Sequence, residues 1–96
     1  MKKILILGAM QMHVPLVEYA KKRGYYVITV DYTADAPCHK LADEYSLIST
    51  TDLSAVTELA RNKNVDIVMT FNSDPAAYTA AFVSKQLAYL EIRQRR

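Results

Sequence analysis

Cysteine occurs once in these 96 residues, at Cys38. A single thiol excludes an internal disulfide and fits reducing surroundings. Cys38 and His39, with His13 elsewhere, are too few for a zinc centre, which takes three or four protein ligands. Long hydrophobic runs are missing too, and no stretch approaches the ~20 apolar residues that cross a bilayer. The opening Met1–Gly8 has only Ile4–Leu7 as an apolar core, short of the ~7–15 residues of a signal-peptide core, and no small-residue cleavage site follows. A cytoplasmic location is the expectation. An excess of one charge is absent: twelve Lys and Arg face ten Asp and Glu, giving +2. Three of the twelve (Arg93, Arg95 and Arg96) lie in the last four positions. That balance points to no nucleic acid and no anionic membrane as partner.

Several reactive motifs are lacking. There is no G-x-S-x-G and no G-x-x-x-x-G-K-[ST]. A receiver-type phosphoacceptor would be an Asp ending the third strand, where Ser49 and Thr50 stand instead. No internal repeat, linker or low-complexity segment occurs.

What is present describes a single globular domain, with 51% hydrophobic and 23% charged residues. Ile4–Leu7, Tyr26–Val30 and Ile67–Phe71 are strong strand candidates, and Tyr45–Ile48 is a shorter one. Their apolarity is continuous rather than alternating, which predicts burial on both faces of a parallel sheet. Helical patterns fall between them. Val14–Arg23 ends at Gly24, a C′ glycine. Asp52–Asn64 places Leu53, Val56, Leu59 and Ala60 on one stripe, with Thr51 or Asp52 as N-cap. A last helix starts at Pro75 with Asp74 as its cap. Tyr32–Glu44 reads as irregular, with at most a short helical turn around His39–Ala42. The prediction is a three-layer α/β/α Rossmann-like domain with a four-stranded parallel sheet in the order 3-2-1-4 and right-handed crossovers.

In the last helix Ala77, Ala80, Ala81, Ser84, Leu87 and Ala88 form a small-residue stripe suited to close approach to the sheet. Tyr78, Phe82, Tyr89 and Ile92 run along another side. That side either rims the core or meets a further surface, including a second copy in a homodimer.

The ligand crevice of an open α/β sheet lies at the carboxyl ends of its strands, where the strand order reverses. In a 3-2-1-4 sheet it falls between the turn Gly8-Ala9-Met10-Gln11-Met12-His13 and the loop Asn72-Ser73-Asp74-Pro75. A dinucleotide fingerprint needs G-x-G-x-x-G, and Met10 and His13 replace its second and third glycines. Asp31, 23 residues after Gly8, matches the position of the ribose-binding acid. The turn still leads into a helix N-terminus, which favours a carboxylate or phosphate over Ala9–Met12 with the Gln11 amide as a further donor. The bland alternative is a tight turn that binds nothing. Asp74 is either a substrate-amine ligand with Ser73 beside it or simply a helix cap.

The ordered set of segments resembles one family. Ile4-Leu5-Ile6-Leu7-Gly8-Ala9 with Pro15-Leu16, then Asp31-Tyr32-Thr33-Ala34-Asp35-Ala36-Pro37 and Ala42-Asp43-Glu44, look like the opening of a pre-ATP-grasp domain. Ile48-Ser49-Thr50-Thr51-Asp52, Val65-Asp66-Ile67-Val68 and Ser73-Asp74-Pro75-Ala76-Ala77 continue the match, which covers residues 2 to about 87. The pattern is similar to the N-terminal part of carbamoyl-phosphate-synthase-like and phosphoribosylglycinamide-formyltransferase-like ligases. The resemblance implies a pre-ATP-grasp domain over residues 1–87, with 88–96 as a helical extension or a truncated end. It also implies a parent enzyme that activates a carboxylate with ATP and joins it to an amine. Gly8, Ala9, Met10, Gln11, Ser73 and Asp74 are then the substrate-binding residues, with no catalytic, cofactor or metal residue in this chain. ATP and Mg2+ belong to ATP-grasp modules in cis or in trans, and the clamp lysine and metal-binding Glu and Asn of those modules are absent from these residues. The alternatives are a stand-alone small-molecule or nucleotide-binding module and a self-associating interaction domain.

Overall fold

A computed structural model describes residues 1–71 and 74–94, with residues 89–94 described by backbone alone. The chain alternates β1 (Lys3–Leu7), a single 3-10 turn at Gln11–His13, α1 (Val14–Lys22), β2 (Tyr26–Val30), α2 (Pro37–Leu41) and β3 (Glu44–Ser46). It continues through α3 (Leu53–Asn62), β4 (Ile67–Met69) and α4 (Asp74–Gln94). The four strands form one sheet in the order β3-β2-β1-β4, and every pairing is parallel. The predicted architecture and strand order are those observed.

β1, β2 and β4 each feed two cores, while β3 at the edge supplies neither. Leu5, Leu7, Ile28 and Val30 point to the face covered by α3 and α4, where they meet Val56, Ala60, Ala76, Ala80 and Val83. Ile4, Ile6 and Val27 point the other way, toward Val17, Ala20, Ala36 and Cys38. Alternate side chains of a strand face opposite ways. A strand covered on both sides must therefore be apolar at every position, which accounts for the unbroken runs.

Two helices end in the same device. Tyr25 N–H reaches back to the Ala20 carbonyl (3.1 Å) and Gly24 N–H to Lys21 (3.0 Å), around Gly24 at φ +85°. Val65 N–H reaches the Ala60 carbonyl (3.1 Å) and Asn64 N–H that of Arg61 (3.2 Å), around Asn64 at φ 55°. Both are left-handed caps that satisfy terminal carbonyls and turn the chain back into the sheet. At the start of α3 the Asp52 carboxylate accepts the Ala55 N–H at 3.1 Å, so Asp52 rather than Thr51 is the cap.

The amino edge of the sheet is closed by polar contacts. Lys3 and Asp66 exchange backbone and side-chain bonds at 2.8 Å each. Glu44 accepts the Tyr26 hydroxyl at 2.6 Å and lies 2.9 Å from the Lys63 ammonium. Lys3 Nζ donates to the Lys63 carbonyl at 2.9 Å.

The structure corrects four readings. β3 starts at Glu44 and β4 stops at Met69, each shorter at its carboxyl end than the apolar runs imply, because both are edge strands. α2 forms a full short helix inside the stretch read as irregular, with Pro37 in its first turn. α4 starts at Asp74 itself, one residue before the expected cap boundary. Its packed stripe is Ala76, Thr79, Ala80 and Val83, with Leu87 and Phe82 half-buried against the same core. Ala77, Ala81, Ser84 and Ala88 face outward instead. Residue size misled the sequence reading, since the larger Thr79 and Val83 share the space over the sheet with Ala76 and Ala80. Phe82 therefore does not share a free side with Tyr78, which is exposed, while the side chains of Tyr89 and Ile92 lie outside the described residues.

Gly8 and Gly24 separate two reasons for a glycine. A Cβ at Gly24 meets nothing within 4 Å, whereas one at Gly8 (φ +107°) would lie 2.5 Å from the His13 ring. Gly24→Ala is expected to cost about 1 kcal/mol from backbone strain alone. Gly8→Ala adds a clash and should cost about 2–4 kcal/mol. Urea unfolding should show that a His13→Ala background brings the Gly8→Ala penalty down toward the Gly24→Ala value; an unchanged penalty would exclude the ring contact.

Candidate functional site

β1 and β4 are neighbours, with Ile4 opposite Ile67 and Ile6 opposite Met69. Beyond the ladder the Thr70 hydroxyl donates to the Leu7 carbonyl at 2.6 Å. This bond brings the chain leaving β4 alongside the turn leaving β1. The sheet order reverses here, since β1 connects to β2 on one side while β4 arrives from β3 by way of α3. Gly8–His13 after β1 and Thr70–Phe71 after β4 therefore leave the sheet side by side at the switch point.

The turn is anchored from below. Gly8 N–H donates to the Val30 carbonyl at 2.7 Å. Ala9 is buried, and its N–H donates to Asp31 Oδ2 at 3.1 Å. The other Asp31 oxygen accepts the Thr33 N–H at 3.0 Å. Both oxygens of the acid matched to ribose binding are thus engaged with backbone, and Asp31 itself is buried. Cys38 N–H donates to the Ala9 carbonyl (2.9 Å) and its thiol to the Met10 carbonyl (3.4 Å). His39 Nε2 donates to the Asp31 carbonyl at 3.2 Å, since a carbonyl only accepts. Its Nδ1 shares a bond with the Thr29 hydroxyl at 2.8 Å, and its ring stacks on Tyr45 with centroids 4.6 Å apart. The Cys-His pair that carried no signal in the sequence is the buttress of the turn.

Of the residues expected to bind substrate, Gly8 and Ala9 are buried, while Met10, the cap of the 3-10 turn, and Gln11 within it are exposed. Asp31 holds the Ala9 N–H, so that amide is not open to a ligand. Asp74 lies exposed in the first turn of α4, and Ser73 falls outside the described residues. Near the crevice a groove of about 300 Å³ is lined by Met12, Pro15, Leu16, Tyr19 and Phe71. A groove of about 630 Å³ runs along the outer side of α1 beside Leu41, away from Gly8–His13.

Sequence reasoning passed over His13. Its side chain is 4% exposed, and neither ring nitrogen has a hydrogen-bond partner. The ring lies on Gly8, in the space that the third glycine of a dinucleotide fingerprint leaves open. The available signal was a His at that third position. Burial pushes its pKa below the usual imidazole range, opposed by Asp31 and by the nearby Phe71 and Met10 carbonyls. Burial, and then Asp31 and Glu18, push the Cys38 thiol up to about 11.

Among the described residues no group of three or more His, Cys, Asp or Glu is placed to hold a metal ion. No described helix is long and apolar enough to cross a membrane.

An open parallel sheet in the order 3-2-1-4, with a glycine turn after β1 that lacks the dinucleotide fingerprint, defines a Rossmann-like domain. The family follows from comparison: residues 1–90 match the ribonucleotide synthetase preATP-grasp domain, and the chain belongs to that family. A formate-dependent phosphoribosylglycinamide formyltransferase of Bacteroides thetaiotaomicron is 33% identical over 69 residues, covering 72% of this chain and 18% of the relative. Phosphoribosylglycinamide synthetase from Anaerococcus prevotii superposes with a TM-score of 0.81 at 28% identity, covering 91% of this chain and 22% of that one. N5-carboxyaminoimidazole ribonucleotide synthetase from Thermotoga maritima gives 0.74 at 29% identity, with 90% and 23% coverage. The chain thus spans about a fifth of the length of these relatives.

Two titrations follow. The folded Cys38 thiol should resist a disulfide reagent at pH 8 and react fully in urea; rapid native labelling would contradict its burial. Cys38 has a raised folded pKa, so its stability contribution is complete below the unfolded value and falls as pH rises toward 11. His13 has the opposite sign. Its folded pKa is depressed, so stability is present above about 6.5 and falls as acid protonates the unfolded chain first. His13→Gln should flatten the urea-midpoint loss between neutral pH and mild acid; an equal loss would assign it to other groups.

Proposed function

We propose that this chain is the substrate-side domain of an ATP-dependent ligase that joins a carboxylic acid to an amine. ATP and Mg2+ are bound by ATP-grasp modules, in cis or in trans, and not by residues 1–96. The observation that carries this reading is the family match over residues 1–90, together with a crevice formed where the strand order reverses. Substrate would lie between Gly8–Gln11 and Asp74, with Ser73 beside it. Backbone N–H groups on the 3-10 turn suit an acceptor atom, and the exposed Asp74 carboxylate suits an amine. Relatives that include a formate-dependent phosphoribosylglycinamide formyltransferase support this chemical class. An independent dinucleotide-binding role is disfavoured because Asp31 is turned onto Ala9 and Thr33 and the His13 ring covers Gly8.

Isothermal titration of the 96-residue chain with Mg·ATP should give no binding in the micromolar range and no ADP. Micromolar affinity or turnover would overturn the division of labour. Fusion to the ATP-grasp portion of the Bacteroides formyltransferase tests the positive side. The chimera should regain phosphoribosylglycinamide-dependent ATP hydrolysis, and Asp74→Ala should lower it at least about tenfold, as loss of a charged substrate contact does.

A further inference from the structure

Between Met10 and His13 the chain runs at the surface. Met10, Gln11 and Met12 are exposed, and His13 carries the one buried side chain of the four. Both ends of this segment are fixed from elsewhere. Ala9 before it is buried and held by Asp31 and by the Cys38 N–H. Val17 after it, in α1, is packed in the core. Inside the segment the His13 N–H donates to the Met10 carbonyl at 2.9 Å and the Val14 N–H to that of Gln11. The Cys38 thiol reaches the Met10 carbonyl at 3.4 Å.

The turn is therefore held down mainly by the seat of one imidazole ring on Gly8, and that ring can be charged. A Cβ at Gly8 would lie 2.5 Å from the ring, so the two are in close contact. Among the described residues neither ring nitrogen has a hydrogen-bond partner. A neutral ring tolerates such a seat at modest cost. An imidazolium does not, because a buried charge without a partner costs far more than a buried polar group.

We propose that the turn Met10–His13 is a pH-sensitive latch, closed while the His13 ring is neutral and released when the ring takes up a proton. The latch belongs to this chain alone and does not depend on the ligase reading. On release the charged ring reaches water, and the four residues move as one short loop between fixed ends. The face of Gly8 is uncovered, and Met12 leaves the apolar groove that it lines with Pro15, Leu16, Tyr19 and Phe71. Little other burial is lost, since three of the four side chains are already exposed. Opening the turn is thus much less costly than unfolding the sheet, and protonation acts on the turn first.

The elements packed against the turn are α1 and α2. α1 carries Glu18, with Lys21 and Lys22 at its far end, and α2 carries the buried Cys38 and His39 and the exposed Lys40. Asp31, at the end of β2, favours a charged His13, but its oxygens are held by the Ala9 and Thr33 amides. Burial outweighs Asp31 and keeps the proton off the closed ring. Cys38 stays protonated across the range where imidazole titrates. His39 is bonded at both ring nitrogens, to Thr29 and to the Asp31 carbonyl, and is held in place. The proton is thus excluded from the closed form and taken up by the released one. The closed turn is complete above about pH 6.5, and below it the ratio of released to closed forms rises about tenfold per pH unit.

The test is amide hydrogen exchange of the whole 96-residue chain, read by NMR from pH 5 to 7.5 and corrected for the pH dependence of exchange in an unstructured chain. Protection of the His13 amide should be constant at the upper end and fall by about tenfold per pH unit below about 6.5. Leu5 and Ile28 in the central strands should keep theirs. His13→Phe, which fills the seat with a ring that cannot be charged, should hold the protection at position 13 constant across the range. If that variant does not fold, the wild-type comparison of turn with sheet decides. Protection of the His13 amide that is unchanged down to pH 5 would overturn the latch. So would its loss in step with Leu5 and Ile28, which is global unfolding. An equal loss in His13→Phe would assign the titration to another group and overturn it as well.

Discussion

The buried carboxylate of Asp31 is the constraint on which the rest of the crevice depends. A chain leaving the centre of a parallel sheet must reverse quickly, and its first amides are buried before any helix can satisfy them. Here Asp31, at the end of the neighbouring strand, takes the Ala9 N–H with one oxygen and fixes its own loop through Thr33 with the other. The segment after it then folds down as α2, so that Cys38 and His39 close the underside of the same turn. One acidic side chain thereby couples the exits of β1 and β2. The position of every residue from Gly8 to His13 follows from that coupling.

The sheet was legible in the sequence because its physics is local and repetitive. Unbroken apolar strands occur where both faces are covered, and the strand order follows from the family pattern and the crossover rules. Gly24 announced the end of α1 for the same reason that Asn64 ends α3, although asparagine is a weaker mark of the left-handed cap. Edge strands were less legible. The runs at Tyr45–Ile48 and Ile67–Phe71 continue past the last ladder pair, where Ile48 packs on the core but Leu47 and Phe71 are exposed.

The site was legible in outline and not in its interior. That β1 and β4 deliver their chain to the same end of the sheet follows from topology. That His13 lies beneath the turn with both nitrogens unpaired does not, because a sequence shows a residue's position and not which of its atoms lack partners. Asp31 was legible as an acid at the end of β2, but its rotamer, turned inward onto Ala9, decides whether it binds ribose or backbone. In α4 the alanines drew the eye to the wrong stripe. A long helix whose outward side is also small and apolar has two nearly equivalent registers by composition, and the larger Thr79 and Val83 choose between them through the volume they fill.

The contacts around Lys3, Asp66, Glu44, Tyr26 and Lys63 sit at the opposite end of the strands from the crevice. Strand alignment is consequently tied down at the amino ends of the strands. The loops at the carboxyl ends are relieved of holding the sheet together, so insertions, charge reversals and new side chains can accumulate there while the register stays locked.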